Sequence, residues 1–205
     1  TYTVQGPDSK VGNGIGSAGL HGANVQQLAG YQTIVYVNGD LDLALSDGSS
    51  LYKGDDLGVL TAWHNLDGDR YVAYFGDNIG SGMLEMGLPG QNYLNNVMGV
   101  EFLADDARPL LGGQVAPTVA PTAAVSGTFL TSYVAYGGCL LINDFDYIRP
   151  LNGTTALVSH EFLDPSGASG QYDPAAGIWY ERNVVTGGGT FRRVDATFPY
   201  SLHFV

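Results

Sequence analysis

Lysine is nearly missing from this chain: Lys10 and Lys53 are the only two among 205 residues, and 20 acidic side chains face 8 basic ones for a net charge of −12. So acidic a surface is repelled by phosphate backbones and by anionic lipid, which excludes nucleic acid and membrane surfaces as partners. Cysteine occurs once, as Cys139, so no internal disulfide forms and the compartment cannot be read from pairing. No apolar run approaches the roughly 18–20 residues needed to span a bilayer. The opening TYTVQGPDS has neither a charged n-region nor a hydrophobic h-region, so it is not a signal peptide. It starts at Thr1 without a methionine, which reads as an excised or processed piece whose upstream part has been removed. His21, His64, His160 and His203 show no metal-ligand spacing, and GNGIGSAG (12–19) lacks the Lys-Ser/Thr of a phosphate loop. No metal site and no cofactor is expected.

What is present points to a folded domain. Apolar residues make up 44% of the chain, enough for a single domain over 1–205 with a real core. Thirty glycines, thirteen tyrosines and almost no lysine fit an extracellular or cell-surface bacterial protein.

TYTV (1–4) alternates like a strand, and ANVQQLA (23–29) spans one or two helical turns. YQTIVYVNG (31–39) is a β-branched, aromatic run closed by Asn-Gly, a strand signal. In DDLGVLTAWHN the apolar positions follow helical spacing, with Asp55 and Asp56 at the positive end of the dipole. YVAYFG (71–76) is continuously apolar, as a strand covered on both faces should be. Residues 81–100 predict helix broken at Gly87–Gly90 and stopped by Gly99, and VEFLAD (100–105) predicts another strand. Alternation of strand and helix over 31–105 predicts a right-handed, mostly parallel α/β sheet. The second half turns β-rich: GGCLLIND (137–144), ALVSHEFLD (156–164), AGIWYERNVV (176–185) and TFRRVDATFPYSLHFV (190–205), bending at Pro199.

The order GPDSKVGNGIG, LAGYQTIVYVNGDL, DDLGVLTAWHN, RYVAYFGDNIGSGM, YLNNVMGVEFLADD and FPYSLHFV resembles divergent class I glutamine amidotransferase-like domains of large secreted proteins from uncultured bacteria. The resemblance covers most of residues 1–105 and the last strand. It implies an α/β, flavodoxin-like three-layer sandwich with a mostly parallel central sheet and a β-rich C-terminal portion. It also implies that this chain lacks the family's first strand–helix unit. In that family a strained G-x-C-x-G elbow after the central strand exposes a nucleophilic Cys beside oxyanion-binding amides. The matching residues here are Gly76, Asp77, Asn78, Ile79 and Gly80. Asn78 holds the nucleophile position, and an amide is no nucleophile, so the family's activity does not carry over.

The candidate site is therefore the turn of Gly76, Asp77, Asn78 and Gly80. Asp77 reads as a cap for the following helix, with a catalytic carboxylate or cation ligand as the other option. Cys139, next to Leu140 and Leu141, reads as a buried inert thiol rather than a reactive one. His160 and Glu161 fall on opposite faces of a strand and cannot form a dyad. His64, beside Trp63, reads as a helix C-terminal cap. NLDGD (65–69) resembles a calcium-loop fragment without the full ligand pattern, so its aspartates read as turn residues.

These readings predict a non-catalytic extracellular structural or binding module that takes part in surface assembly. Two other classes stay open. One is a hydrolase using Asp77 with His160 at the C-terminal edge of the sheet, and the other is a calcium-stabilised adhesion module. The strands YQTIVYV and TYTV have no lysine and no internal proline to protect an edge. The partner expected there is another polypeptide, an upstream fragment or a neighbouring copy.

Overall fold

The computed structural model describes residues 23–39, 45, 54–113, 117–125, 133–134, 145–163 and 171–200. Expectations for TYTV, GNGIGSAG and GGCLLIND, and for His21, Cys139 and His203, lie outside them.

Local sequence signals set the helices. Helix α1 (Val25–Leu28) starts from a capping box in which Asn24 Oδ1 accepts Gln27 N–H and Gln27 Oε1 accepts Asn24 N–H, each at 2.9 Å. Helix α2 (Asp56–His64) is capped by Asp55, whose carboxylate accepts Gly58 N–H at 2.9 Å. Helices α3 (Ile79–Glu85) and α4 (Leu88–Asn96) are separated at Gly87, where φ of +68° suits glycine and breaks the helix. A short 3-10 turn follows at Arg108–Leu111.

Strands β1 (Thr33–Gly39), β2 (Arg70–Gly76), β3 (Val100–Ala104), β4 (Thr118–Pro121), β5 (Tyr133–Val134), β6 (Tyr147–Pro150), β7 (Leu157–Leu163), β8 (Gln171–Thr186) and β9 (Gly189–Phe198) complete the described elements. Seven of them form one sheet in the order β1-β2-β9-β8-β7-β4-β5. The β1–β2 and β2–β9 pairs are parallel, while β9–β8, β8–β7, β7–β4 and β4–β5 are antiparallel. The protein is thus a mixed α/β domain on a mixed sheet, and the parallel character stops at three strands.

Strand β3 departs from the expected alternation. It pairs antiparallel with β6 in a separate two-stranded sheet, and β9 takes the place beside β2. Burial gives the reason. VEFLA buries only Val100 and leaves Leu103 exposed, whereas β9 is buried at every position from Arg193 to Phe198. The slot between β2 and β8 is covered on both faces and takes the strand that can fill both. On one face Val72, Tyr74 and Ile178 pack with Leu60, Trp63, Met83 and Leu94 of the helices. On the other, Phe75 and Phe198 pack with Phe145, Phe162 and Tyr200.

Candidate functional site

The turn after β2 lies where open α/β sheets place their ligands, at the C-terminal end of a parallel strand. β2 ends at Gly76, Asp77 and Asn78 form the turn, and α3 begins at Ile79. Asn78 has φ −105° and ψ 31°, and no non-glycine residue among those described has positive φ. The strain expected of a nucleophile elbow is therefore not present here.

Two amides at the start of α3 are capped by a residue far along the chain. Asn78, at the N-cap position, makes no side-chain capping bond. Instead Asp146 Oδ2 accepts Gly80 N–H at 2.5 Å and Ser81 N–H at 3.2 Å. The Asp146 N–H in turn donates to Asp77 O at 3.1 Å, tying the segment before β6 to the turn. Gly80 permits this approach: a Cβ there would lie 2.6 Å from the Phe102 ring and 3.1 Å from Asp146 Oδ2. Asp146 is fully buried and Asp77 is 2% exposed. Burial pushes the Asp146 carboxyl up to about 8, opposed by the Gly80 and Ser81 N–H groups and assisted by the charge of Asp105. At neutral pH the group is a neutral acid.

His160 stands at the same end of the sheet but not beside Asp77. Phe75 pairs with Phe198, Thr197 with Ile178, and His160 with Gly177. Three strand spacings, roughly 14 Å of backbone, separate β2 from His160, so strand register does not join Asp77 and His160 into a hydrogen-bonded dyad. The imidazole is buried, its Nδ1 lies 3.1 Å from Ser159 Oγ, and its ring meets the Phe198 ring at 5.4 Å. Burial lowers its pKa to about 4.

His64 does lie in the last turn of α2, but the residue capping that terminus is Arg193. Its guanidinium donates to the carbonyls of His64 (2.5 Å), Leu66 (2.6 Å) and Gly68 (2.7 Å). The His64 ring bonds back to the helix, its Nδ1 2.9 Å from Leu60 O, and also joins a buried polar cluster. Its Nε2 is 3.1 Å from Asp195 Oδ1, which also accepts Tyr74 O–H at 3.0 Å, while Arg182 pairs with Asp195 Oδ2. Tyr74 and Tyr93 hydroxyls are 2.9 Å apart. Burial raises the Asp195 carboxyl, but His64 and Arg182 outweigh it and hold it below its usual range.

The calcium-loop fragment is used by the β8–β9 hairpin. Asp67 Oδ1 accepts Thr186 O–H at 2.6 Å and Gly188 N–H at 3.1 Å, and Asp69 Oδ1 accepts Arg192 N–H at 2.9 Å. Among the described residues no group of three His, Cys, Asp or Glu side chains could hold a metal ion.

The sequence singles out Asp77 and gives Asp146 no motif of its own. The Asp146 signal is faint: it stands between Phe145 and Tyr147 in FDY, an apolar setting for an acid. Asp195 and Arg193 were missed, and the one signal for them is charge within FRRVDATF, a stretch otherwise fit for a buried strand.

No protein family, curated protein or solved structure matches the chain. Among the described residues no helix is long and apolar enough to cross a membrane.

Proposed function

We propose that the chain is a non-catalytic extracellular module that binds or assembles with other polypeptides at a cell surface. One observation carries the non-catalytic part: the helix start just beyond Asn78 is closed from within the chain, its Gly80 and Ser81 amides bonded to the Asp146 carboxyl. Asn78 offers no nucleophile, and its relaxed backbone does not thrust a side chain outward. The resemblance to glutamine amidotransferase-like, flavodoxin-like domains is kept as a proposal about ancestry, supported by the strand–turn–helix at Gly76–Gly80 and by the parallel β1-β2-β9 set. An extracellular site is supported by composition, with few lysines and many tyrosines and glycines. Tyrosine suits contact surfaces because a rigid ring buries much area at small entropic cost.

One observation favours a second reading, a hydrolase around Asp77. The buried Asp146 carboxyl, pushed up to about 8, lies against the turn that holds Asp77, and a carboxyl raised by burial is a common mark of an acid catalyst. Turnover of amide, ester and glycoside substrates decides between them. The module reading expects none above background, and Asn78→Ala changes nothing. A real turnover falling about 100-fold or more in Asn78→Ala, the scale of a lost oxyanion donor, defeats it.

A further inference from the structure

Strand β1 is the outermost strand of the described sheet. Tyr71 N–H donates to Gln32 O at 3.0 Å, and Thr33 stands opposite Tyr71 in parallel register. Main-chain groups of a strand alternate sides, so those of Ile34 and Tyr36 face β2. Those of Thr33, Val35 and Val37 face away from it. The side chains of Val35 and Val37 are 56% and 46% exposed, and Tyr31, just before the strand, is 51% exposed.

Natural sheets blunt such edges with charge, proline, a bulge or a very short strand. The other end of the described sheet does so: β5 has two residues and β4 contains Pro121. Strand β1 has seven residues, TIVYVNG, with no charge and no proline, and its one irregularity against β2, between Val37 and Gly39, falls at its end and leaves Thr33–Val37 regular.

We propose that β1 pairs antiparallel with β1 of a second copy about a two-fold axis at Val35, joining two sheets into one. The occupant follows from self-complementarity, which an isologous interface requires because every residue meets its own kind. With Val35 on the axis, Val35 faces Val35, Thr33 faces Val37, and Ile34 faces Tyr36. These are the β-branched and aromatic cross-strand pairs that favour sheet pairing. Thr33, Val35 and Val37 carry the outward main-chain groups, so the Val35–Val35 and Thr33–Val37 pairs are of the hydrogen-bonded kind and the Ile34–Tyr36 pairs are not. A charge anywhere from Thr33 to Val37 would meet or adjoin its own sign in the partner. In a chain of net charge −12 this stretch has none, which removes the main obstacle to self-association here.

This names the partner for the assembly reading and rests on that part of it. The elbow is tested separately by turnover, so a failed dimer leaves the non-catalytic reading standing.

The test is sedimentation equilibrium of the full chain, with hydrogen exchange and cross-linking. The expected result is a reversible dimer in which Thr33, Val35 and Val37 amides are protected and lose protection on dilution. Val35→Lys, at an exposed position, should leave the melting temperature of the dilute monomer in place and raise the dissociation constant tenfold or more. Val185→Lys, at a site 79% exposed on β8, should leave the dimer intact. In a Cys139→Ser background, oxidised Val35→Cys should cross-link to itself, since a hydrogen-bonded pair holds Cα atoms about 5.5 Å apart. Thr33→Cys should cross-link only when mixed with Val37→Cys. A monomer at all concentrations overturns the proposal, whether the β1 amides exchange freely or are protected within one chain. So does a dimer indifferent to Val35→Lys, or one whose cross-links ignore this register.

Discussion

Asp146 follows Gly80 by 66 positions in the chain, yet its carboxyl accepts the Gly80 N–H at 2.5 Å. This contact defines the turn after β2. The first amides of a helix need acceptors, and here a remote, fully buried acid supplies one to Gly80 and Ser81 together. A turn closed in this way keeps its shape without a ligand.

The acid should reveal itself in stability against pH. Its folded pKa of about 8 lies above the ordinary 3.8, so its contribution is fully present below pH 4. It is lost as pH rises toward 8, with a slope of at most about 1.4 kcal/mol per pH unit for one proton. Asp146→Asn keeps an oxygen for both amides and has no proton to lose. The stability of the variant minus that of the wild type, from urea melts, should therefore climb between pH 4 and pH 8 and then level off. A flat difference across that window would show that Asp146 is ionised in the fold.

His160 works on the opposite side of neutrality. Burial lowers it from 6.5 to about 4, so its contribution is complete above pH 6.5 and is lost as pH falls toward 4. The stability of His160→Gln minus that of the wild type should therefore rise as pH falls from 6.5 to 4 and stay constant above pH 6.5. Between pH 4 and 6.5 the two residues oppose each other. A double variant should therefore show less change there than either single one, and urea melts at four pH values suffice to see it.

Much of the local structure was legible in the sequence because its signals are local. Asp55 before an apolar helical pattern, Asn24 with Gln27, and the glycines around 87–90 each act within a few residues, and each helix lies where they place it. The sheet order was not legible. VEFLA and VDATF are both short apolar runs with one or two charges, and which one lies beside β2 depends on what covers each face. That is decided by Arg182 and His64 coming to meet Asp195, contacts that no spacing announces. The turn at Gly76–Gly80 could be located from sequence, but its chemistry could not, because the residue that fills it comes from before β6.

The aspartates of NLDGD supply a test of the calcium reading. Asp67 ties Thr186 and Gly188, and Asp69 ties Arg192 N–H, so they lock the hairpin rather than await an ion. A chelator should leave the melting temperature unchanged, while Asp67→Ala should cost about 1–2 kcal/mol through two lost hydrogen bonds. A drop of several degrees with EDTA, restored by calcium, would reveal a bound ion and favour the adhesion module.

The buried Asp195 should be the most sensitive charged position in the chain. It is fully buried, accepts the Tyr74 hydroxyl, and faces both His64 and Arg182. Removing the Asp195 charge leaves the Arg182 guanidinium, only 17% exposed, without its carboxylate, so Asp195→Asn should cost about 3–5 kcal/mol in urea unfolding. That loss would not measure the worth of the ion pair, since much of it is the stranded guanidinium. Asp195→Leu combined with Arg182→Met separates the two. Taking out both charges should recover a large part of the loss and make the pair strongly non-additive. The sign of the pH dependence is fixed as well. The Asp195 carboxyl is held below its ordinary range, so its stabilisation is present above about pH 4 and disappears as pH falls further. The deficit of Asp195→Asn should accordingly be full at pH 7 and shrink in strong acid. A deficit under 1 kcal/mol at pH 7, or simple additivity with Arg182→Met, would mean that water reaches the cluster and that Asp195 is not the centre of the helix-side core.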